Sequence, residues 1–400
     1  MNSSIYPLRQ YDGNLRFCTL ELKTINATYG KIYFIAACLI LMLASTTLAA
    51  TAEQNTYARL VRAGMKQLKA GDHQTARNSF EKALHYIDDD ADAHLGLGVA
   101  CFYLQDDRAA ERELMKAAEI DPKKPAAYEF LGELFYREDD LETAATYWEK
   151  AVELNPSAKN LRARLDRIRK EHGTEKEFNR DVTIHFLVKY DGSENNEAGR
   201  IILRILENAY GEIGQALSYY PDQEIQVILY SHRQFREVTD APGWSGGIYD
   251  GKIRIPIGGI DRETPGLRKL LYHEYTHAVV RAVTRRCPTW LNEGLAQYFA
   301  GREIDARQKE ALKRIAQTGK LPSLSSLEGS FTELNGNQAR LAYLFSLSAV
   351  KYLIDTIGLY RVEDVLNDLA AGSDTGKAIS KESLLTYEEF DDGWKQSLQR

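Results

Sequence analysis

Residues 270–280 read LLYHEYTHAVV, and residues 288–301 read PTWLNEGLAQYFAG. The first stretch sits in a long run of helical character. Thr264 and Pro265 supply a cap and a first-turn proline, and the helix should run to about residue 283. On it, His273 and His277 are four residues apart and share one face, so both imidazoles can reach a single ion. Glu274 projects beside that ion without having to ligate it, placed to take a proton from a water and pass it to a leaving amine. Past a turn at Arg285-Arg286-Cys287-Pro288, a second short helix starts near Trp290 and brings Glu293 back against the first. Two histidines and one carboxylate leave the fourth position of a tetrahedral zinc open, which is the arrangement of a catalytic site. A chance HExxH is expected in about one chain in a hundred of this length with so few histidines, so the pattern carries weight.

Upstream, VTIHFLVKY at 182–190 is β-branched and aromatic and reads as a strand, followed by a helix over 198–217 and a second strand, EIQVILY, at 224–230. GGIYDGKIRIPIGG at 246–259 reads as a hairpin turned by Asp250-Gly251. Strands followed by helices point to an α+β domain with a small sheet. With LLYHEYTHAVV, PTWLNEGLAQYFAG and the preceding WSGGIYDGKIRIP, residues 180–396 resemble the peptidase MA-like domain of the gluzincin metallopeptidase class. The resemblance implies zinc held by His273, His277 and Glu293, with Glu274 as general base. It also implies a Tyr or His donor for the oxyanion, and Tyr343 on QARLAYLFSLSAVKYL is the candidate. Such sites often carry a carboxylate one turn past the glutamate ligand to orient the ligands; here that position is Gln297. Tyr275, inside the motif, is expected to pack, and Cys287 is not needed as a ligand. The strand at 252–256 is expected to pair with an extended peptide, so that Ile255→Pro would raise KM.

Further upstream the chain repeats with a period of 34. Gly98, Ala110, Ala117 and Pro122 recur as Gly132, Ala144, Ala151 and Pro156, and as Gly64, Ala76, Ala83 and Asp88 on the other side. A small residue at a helix contact lets two antiparallel helices approach, and the proline ends the second. Tyr128, Leu131, Phe135, Tyr136, Tyr147 and Trp148 supply apolar positions at helical spacing. This resembles three tetratricopeptide repeats (57–90, 91–124 and 125–158), with residues 159–173 as a capping helix. A stacked array implies a groove for a protein partner or a substrate. Cys101 falls inside it as a small core residue.

At the N-terminus, IYFIAACLILMLASTTLAA (32–50) follows Lys31 and gives way to small residues and then Glu53. That order is a secretory signal, with cleavage near residues 49–52. Left uncleaved, the segment is long enough to anchor the chain in a membrane. Ile35-Ala36-Ala37-Cys38 has the look of a lipoprotein box, but the apolar core continues beyond the cysteine. The first 30 residues resemble nothing. Either form puts the remainder outside the cytoplasm. Of four cysteines, only Cys101 and Cys287 would survive cleavage, too few for a disulfide scaffold.

Hydrophobic residues at 44% and charged residues at 27% exclude whole-chain disorder. The formal net charge of −6, with 51 Lys+Arg against 57 Asp+Glu, gives no basic footprint for nucleic acid. The expectation is a multidomain protein, an all-α tetratricopeptide array followed by an α+β gluzincin-like zinc metallopeptidase domain. Its alternative is a non-cutting scaffold of the cell envelope that acts through the repeats.

Overall fold

The structure is a computed structural model and describes residues 53–192, 195–239, 246–258, 260–331 and 334–399. The signal-like segment at 32–50 lies outside these residues. Among them, no single helix is long and apolar enough to cross a membrane.

Seven helices open the described residues: α1 (53–70), α2 (His73–Tyr86), α3 (Ala91–Tyr103), α4 (Asp107–Ile120), α5 (Pro125–Arg137), α6 (Leu141–Leu154) and α7 (Lys159–Glu175). They stack as antiparallel pairs, and the period of 34 has a packing cause. Phe80, Leu114 and Trp148, themselves 34 apart and fully buried, lie over Gly64, Gly98 and Gly132. A Cβ on Gly132 would stand 2.2 Å from the Trp148 ring, so only glycine admits that knob. Asp72, Asp106 and Asp140 cap the second helix of each pair through their carboxylates.

The second unit is built on a five-stranded mixed sheet of order β1-β2-β3-β5-β4, with β1 (Asn179–Val182), β2 (Phe186–Tyr190), β3 (Ile225–Ser231), β4 (Ile248–Tyr249) and β5 (Ile253–Ile257). The stretch 182–190, read as one strand, is two: Val182 ends β1, and the chain reverses at 183–185 to pair β1 antiparallel with β2. The Thr183 hydroxyl holds this reversal by accepting from the Phe186 N–H at 3.1 Å. β2, β3 and β5 run parallel, joined by α8 (Asn196–Leu217) and α9 (His232–Thr239).

Both faces of the sheet are covered, so the side chains sort by the strand's period of two. Phe186, Val188, Val227, Leu229, Ile253 and Ile255 enter the main core with α8 and α10 (Pro265–Val283). Lys189, Ile228, Tyr230 and Arg254 turn the other way, toward the repeats. There Lys189 meets Asp139 at 2.8 Å and Glu175 at 2.7 Å, while Lys252 meets Asp139 at 2.9 Å. Arg254, wholly buried, reaches Glu171 at 3.0 Å, Glu175 at 3.5 Å and Asp250 at 3.1 Å. The Tyr136 and Tyr230 hydroxyls each accept from its guanidinium at 2.7 Å. Burial would raise the Asp139 carboxyl, but Lys252 and Lys189 outweigh it and hold it below the ordinary range. Helix α7, expected as a polar cap, runs on to Glu175 and, together with Asp139, joins the array to the sheet by buried ion pairs.

Past the sheet lie α10, α11 (Thr289–Phe299), α12 (Ala306–Gln317), α13 (Gly336–Ile357), α14 (Val362–Ala370), α15 (Thr375–Ser383) and α16 (Tyr387–Ser397). Helix α11 seats on α13 at Gly294, where a Cβ would stand 2.4 Å from the Ser346 carbonyl oxygen. Trp290 is buried beside it and donates to the Tyr387 hydroxyl at 3.3 Å. These contacts set the rotation of α11, and with it the aim of Glu293.

Candidate metal centre

Helix α10 begins as its sequence requires: Thr264 accepts from the Leu267 N–H at 3.1 Å and Pro265 occupies the first turn. One face, with Leu271, Tyr275 and Val279, is buried in the core. Tyr275 packs edge-on to Phe186 at 5.7 Å between ring centroids. The opposite face carries His273 and His277 into a cleft, and α11 returns to place Glu293 between them.

His273 Nε2 and His277 Nε2 stand 3.2 Å apart, and Glu293 Oε2 lies 3.6 Å from each. The three could hold a metal ion. Donor bonds of about 2.05 Å around a tetrahedral cation set ligand separations at about 3.3 Å, close to those seen. Two neutral imidazoles with their Nε2 lone pairs facing each other repel unless a cation or proton lies between them. Glu293 Oε2 and His273 Nδ1 are buried without hydrogen-bond partners among the described residues. A buried carboxylate oxygen with no donor is costly where its carboxylate also lacks a Lys or Arg partner, and Glu293 has none among the described residues. Donor chemistry, spacing and the orphaned oxygen therefore all fit a small divalent cation.

The groups around the ligands are tuned the same way. Burial raises the Glu293 carboxyl, offset in part by His277. Burial, then the neighbouring His277 and Arg302, push the His273 imidazolium well below its ordinary range, so the ring is neutral as a ligand must be. The Ala296 backbone beside His273 adds a weak opposing influence. Glu274 is buried, and burial lifts its carboxyl from 4.5 to about 7, with Glu293 and Asp250 raising it and His277 lowering it. Half-buried Tyr343, on α13, lines the same cleft with its ring edge-on to Phe331 at 5.8 Å. Its hydroxyl is raised by burial and then by the charges of Glu293 and Glu274.

One supporting residue escaped the sequence reading. Asn292 Oδ1 accepts from His277 Nδ1 at 3.0 Å, which fixes the tautomer with the Nε2 lone pair facing the cluster. The signal was its place beside Glu293, on the side of α11 that faces α10. Gln297, one turn past Glu293, ties α11 to α13 by donating to the Tyr343 carbonyl at 2.8 Å.

The strand expectation needs correction. β5 pairs with β3 along its length and with β4 at Ile253 and Arg254, so the outer strand of the hairpin is β4. Ile255 is fully buried in the core, and a proline there would break the sheet rather than report on substrate.

The cleft measures about 2330 Å³ and is shared by both units. The ends of α1, α3 and α5 form one wall, with Phe102, Tyr103 and Phe130, and the metal centre lies on the other.

Residues 216–400 match the Peptidase MA superfamily, and residues 67–134 and 125–157 match tetratricopeptide repeats. The chain thus carries a Peptidase MA superfamily domain preceded by the repeats; the match starts at the end of α8, after β1 and β2. No curated protein matches the chain. Among solved structures, the chain is similar to the first TPR domain of the human RPAP3 protein, at 21% identity over 30% of this chain and 95% of that one, TM-score 0.29. It is similar to the type III secretion chaperone SycD of Yersinia enterocolitica, at 21% identity over 31% of this chain and 96% of that one, TM-score 0.29. It is also similar to the Thermobaculum terrenum O-GlcNAc transferase, at 13% identity over 87% of this chain and 94% of that one, TM-score 0.28.

Proposed function

We propose, with a Peptidase MA superfamily domain at residues 216–400 as the premise, that this chain is an exported zinc metallopeptidase whose repeats recruit the substrate or a protein partner. The observation that carries the reading is the three-ligand cluster with a buried, proton-poised Glu274 beside it. One zinc per chain would be held by His273, His277 and Glu293. When bound, zinc supplies Lewis acidity toward a carbonyl oxygen and makes a water easier to deprotonate. Glu274 takes the proton from the attacking water and delivers it to the leaving amine nitrogen, and a carboxyl near neutrality suits both transfers. The Tyr343 hydroxyl donates to the developing oxyanion. An extended peptide would lie along β4 (Ile248–Tyr249), the outer strand of the hairpin. Export rests on the basic flank, apolar core and small residues around 32–50, cleaved or kept as an anchor.

Elemental analysis of the purified chain should find about one zinc, absent from His273→Ala. Glu274→Gln should keep the zinc and lose about 10³-fold or more in kcat/KM on any peptide the parent cleaves. No zinc in the parent after dialysis against added metal would sink the reading. Zinc without cleavage of any peptide would leave the repeat-based scaffold in its place.

A further inference from the structure

Most charges facing the shared cleft from the repeats are matched. Arg137 pairs with Asp107, Arg164 with Glu133, and Arg167 with Glu171 at 3.2 Å and Asp250 at 3.1 Å. Arg281 and Arg285 differ. Both face the cleft where α10 ends, and neither has an ion pair among the described residues. The Arg285 guanidinium lies 5.2 Å from the centroid of the Tyr103 ring, on the repeat wall. Lost solvation, then the charge of Arg285, push the Arg281 guanidinium down, with the hydroxyls of Tyr249 and Tyr103 the groups that oppose this. Two like charges held together without a counter-charge, in a chain of net charge −6, mark a place for an anion.

The helix sets its distance from the chemistry. Arg281 follows His277 by four residues on the same face, about 6 Å along the axis at 1.5 Å per residue. An extended peptide advances about 3.3 Å per residue. A carboxylate meeting Arg281 therefore lies about two residues from the bond at the metal centre, while Arg285, past the end of the helix, is placed by the Tyr103 ring it lies against. We propose that Arg281 and Arg285 form a carboxylate-reading subsite of this cleft, so that the preferred substrate is a peptide with an acidic group about two or more residues from the scissile bond. Tyr103 closes that subsite from the repeat side, which makes the array a wall of the substrate channel as well as a recruiting surface. The inference rests on the peptidase reading for its substrate class, but binding alone tests it.

The probe is a tetramethylrhodamine-labelled Ala/Ser nonapeptide containing two Glu, with a counterpart containing two Gln. Each is made with a free and with an amidated C-terminus and titrated by anisotropy against the full chain carrying Glu274→Gln. The Glu peptide should bind about tenfold tighter than the Gln peptide at low salt, with the gap closing as salt is added. Arg281→Gln with Arg285→Gln should bring the two within about twofold and leave the amidated Gln peptide's affinity unchanged, which also shows the fold intact; Arg281→Lys should keep most of the preference. A gain from Glu that survives amidation identifies a side-chain carboxylate. Tighter binding of the free than of the amidated form, equal for the Glu and Gln peptides, identifies the terminal one. Equal binding of all four peptides, a preference that survives the double substitution, or no binding up to millimolar peptide would overturn the subsite. Hydrolysis by the parent without any carboxylate preference strikes the subsite alone. A preference without hydrolysis strikes the peptidase reading alone.

Discussion

Two buried polar clusters lie within this molecule, and they are built on opposite rules. Between the array and the sheet, Asp139, Glu171, Glu175 and Asp250 face Lys189, Lys252, Arg254 and Arg167, and each charge meets an opposite one. Some oxygens there lack a hydrogen bond, such as Glu171 Oε2, but none lacks a counter-charge on its own carboxylate. At the candidate metal centre two carboxylates and two imidazoles share a cleft wall with no Lys or Arg paired to them among the described residues, and both carboxyls are pushed up. The first cluster is complete within the chain and holds the fold. The second lacks such partners among the described residues and could hold a metal ion, and that difference marks it as the candidate site.

The comparison breaks most readily at Arg254. Arg254→Met removes a guanidinium that faces three carboxylates and two tyrosines, and should cost about 3–5 kcal/mol in urea unfolding because the carboxylates stay buried without it. Zinc content should remain that of the parent. Arg254→Lys should lose less, since it keeps the charge and forfeits only the fork. An unchanged unfolding midpoint in Arg254→Met would mean that the cluster does not hold the two units.

Glu274 tests the other side. Its carboxyl moves from 4.5 in the unfolded chain to about 7 in the folded one. Between those values the folded chain keeps a proton that the unfolded chain has released, so this group's contribution is full below about pH 4.5 and is lost as pH rises through 7. The loss amounts to about 3 kcal/mol at 1.36 kcal/mol per unit. In chelator-treated protein, Glu274→Gln should therefore be more stable than the parent at pH 8 by up to that amount, and equal to it near pH 4.5. Identical pH slopes for the two proteins would show that Glu274 titrates as an ordinary surface carboxylate.

How far these clusters could be read from the sequence follows from what each depends on. His273, His277 and Glu293 sit on two adjacent helices, and helical spacing is enough to bring them to one cleft with Glu274. The repeat was legible because Gly64, Gly98 and Gly132 recur with a period set by the knobs above them. The ion-pair cluster was not, because Asp139, Glu175, Lys189 and Arg254 come from four elements whose meeting depends on the tertiary fold. A trace existed: Lys189 and Arg254 alternate with apolar residues on strands covered on both faces, so each had to find a buried partner. The reversal at 183–185 stayed hidden because Thr183 and Ile184 are β-branched residues that favour strands, with no Gly or Pro to mark the break.

Asn292 carries the smallest and most discriminating effect. Its side chain touches no reacting group, and what it does is hold His277 by Nδ1 so that Nε2 points at Glu293. Asn292→Ala should weaken zinc affinity about 10- to 100-fold in chelator competition, the usual effect of losing a partner behind a ligating histidine. Because a water can replace the amide at Nδ1, kcat at saturating zinc should fall far less than affinity does. Asn292→Asp keeps an acceptor at the same place and adds charge that favours the ligated imidazole, so it should restore or exceed the parent's affinity. If Asn292→Ala binds zinc as tightly as the parent, the packing of Gly294 and Trp290 alone orients the two helices, and the metal centre owes its geometry to the fold without help from its neighbour.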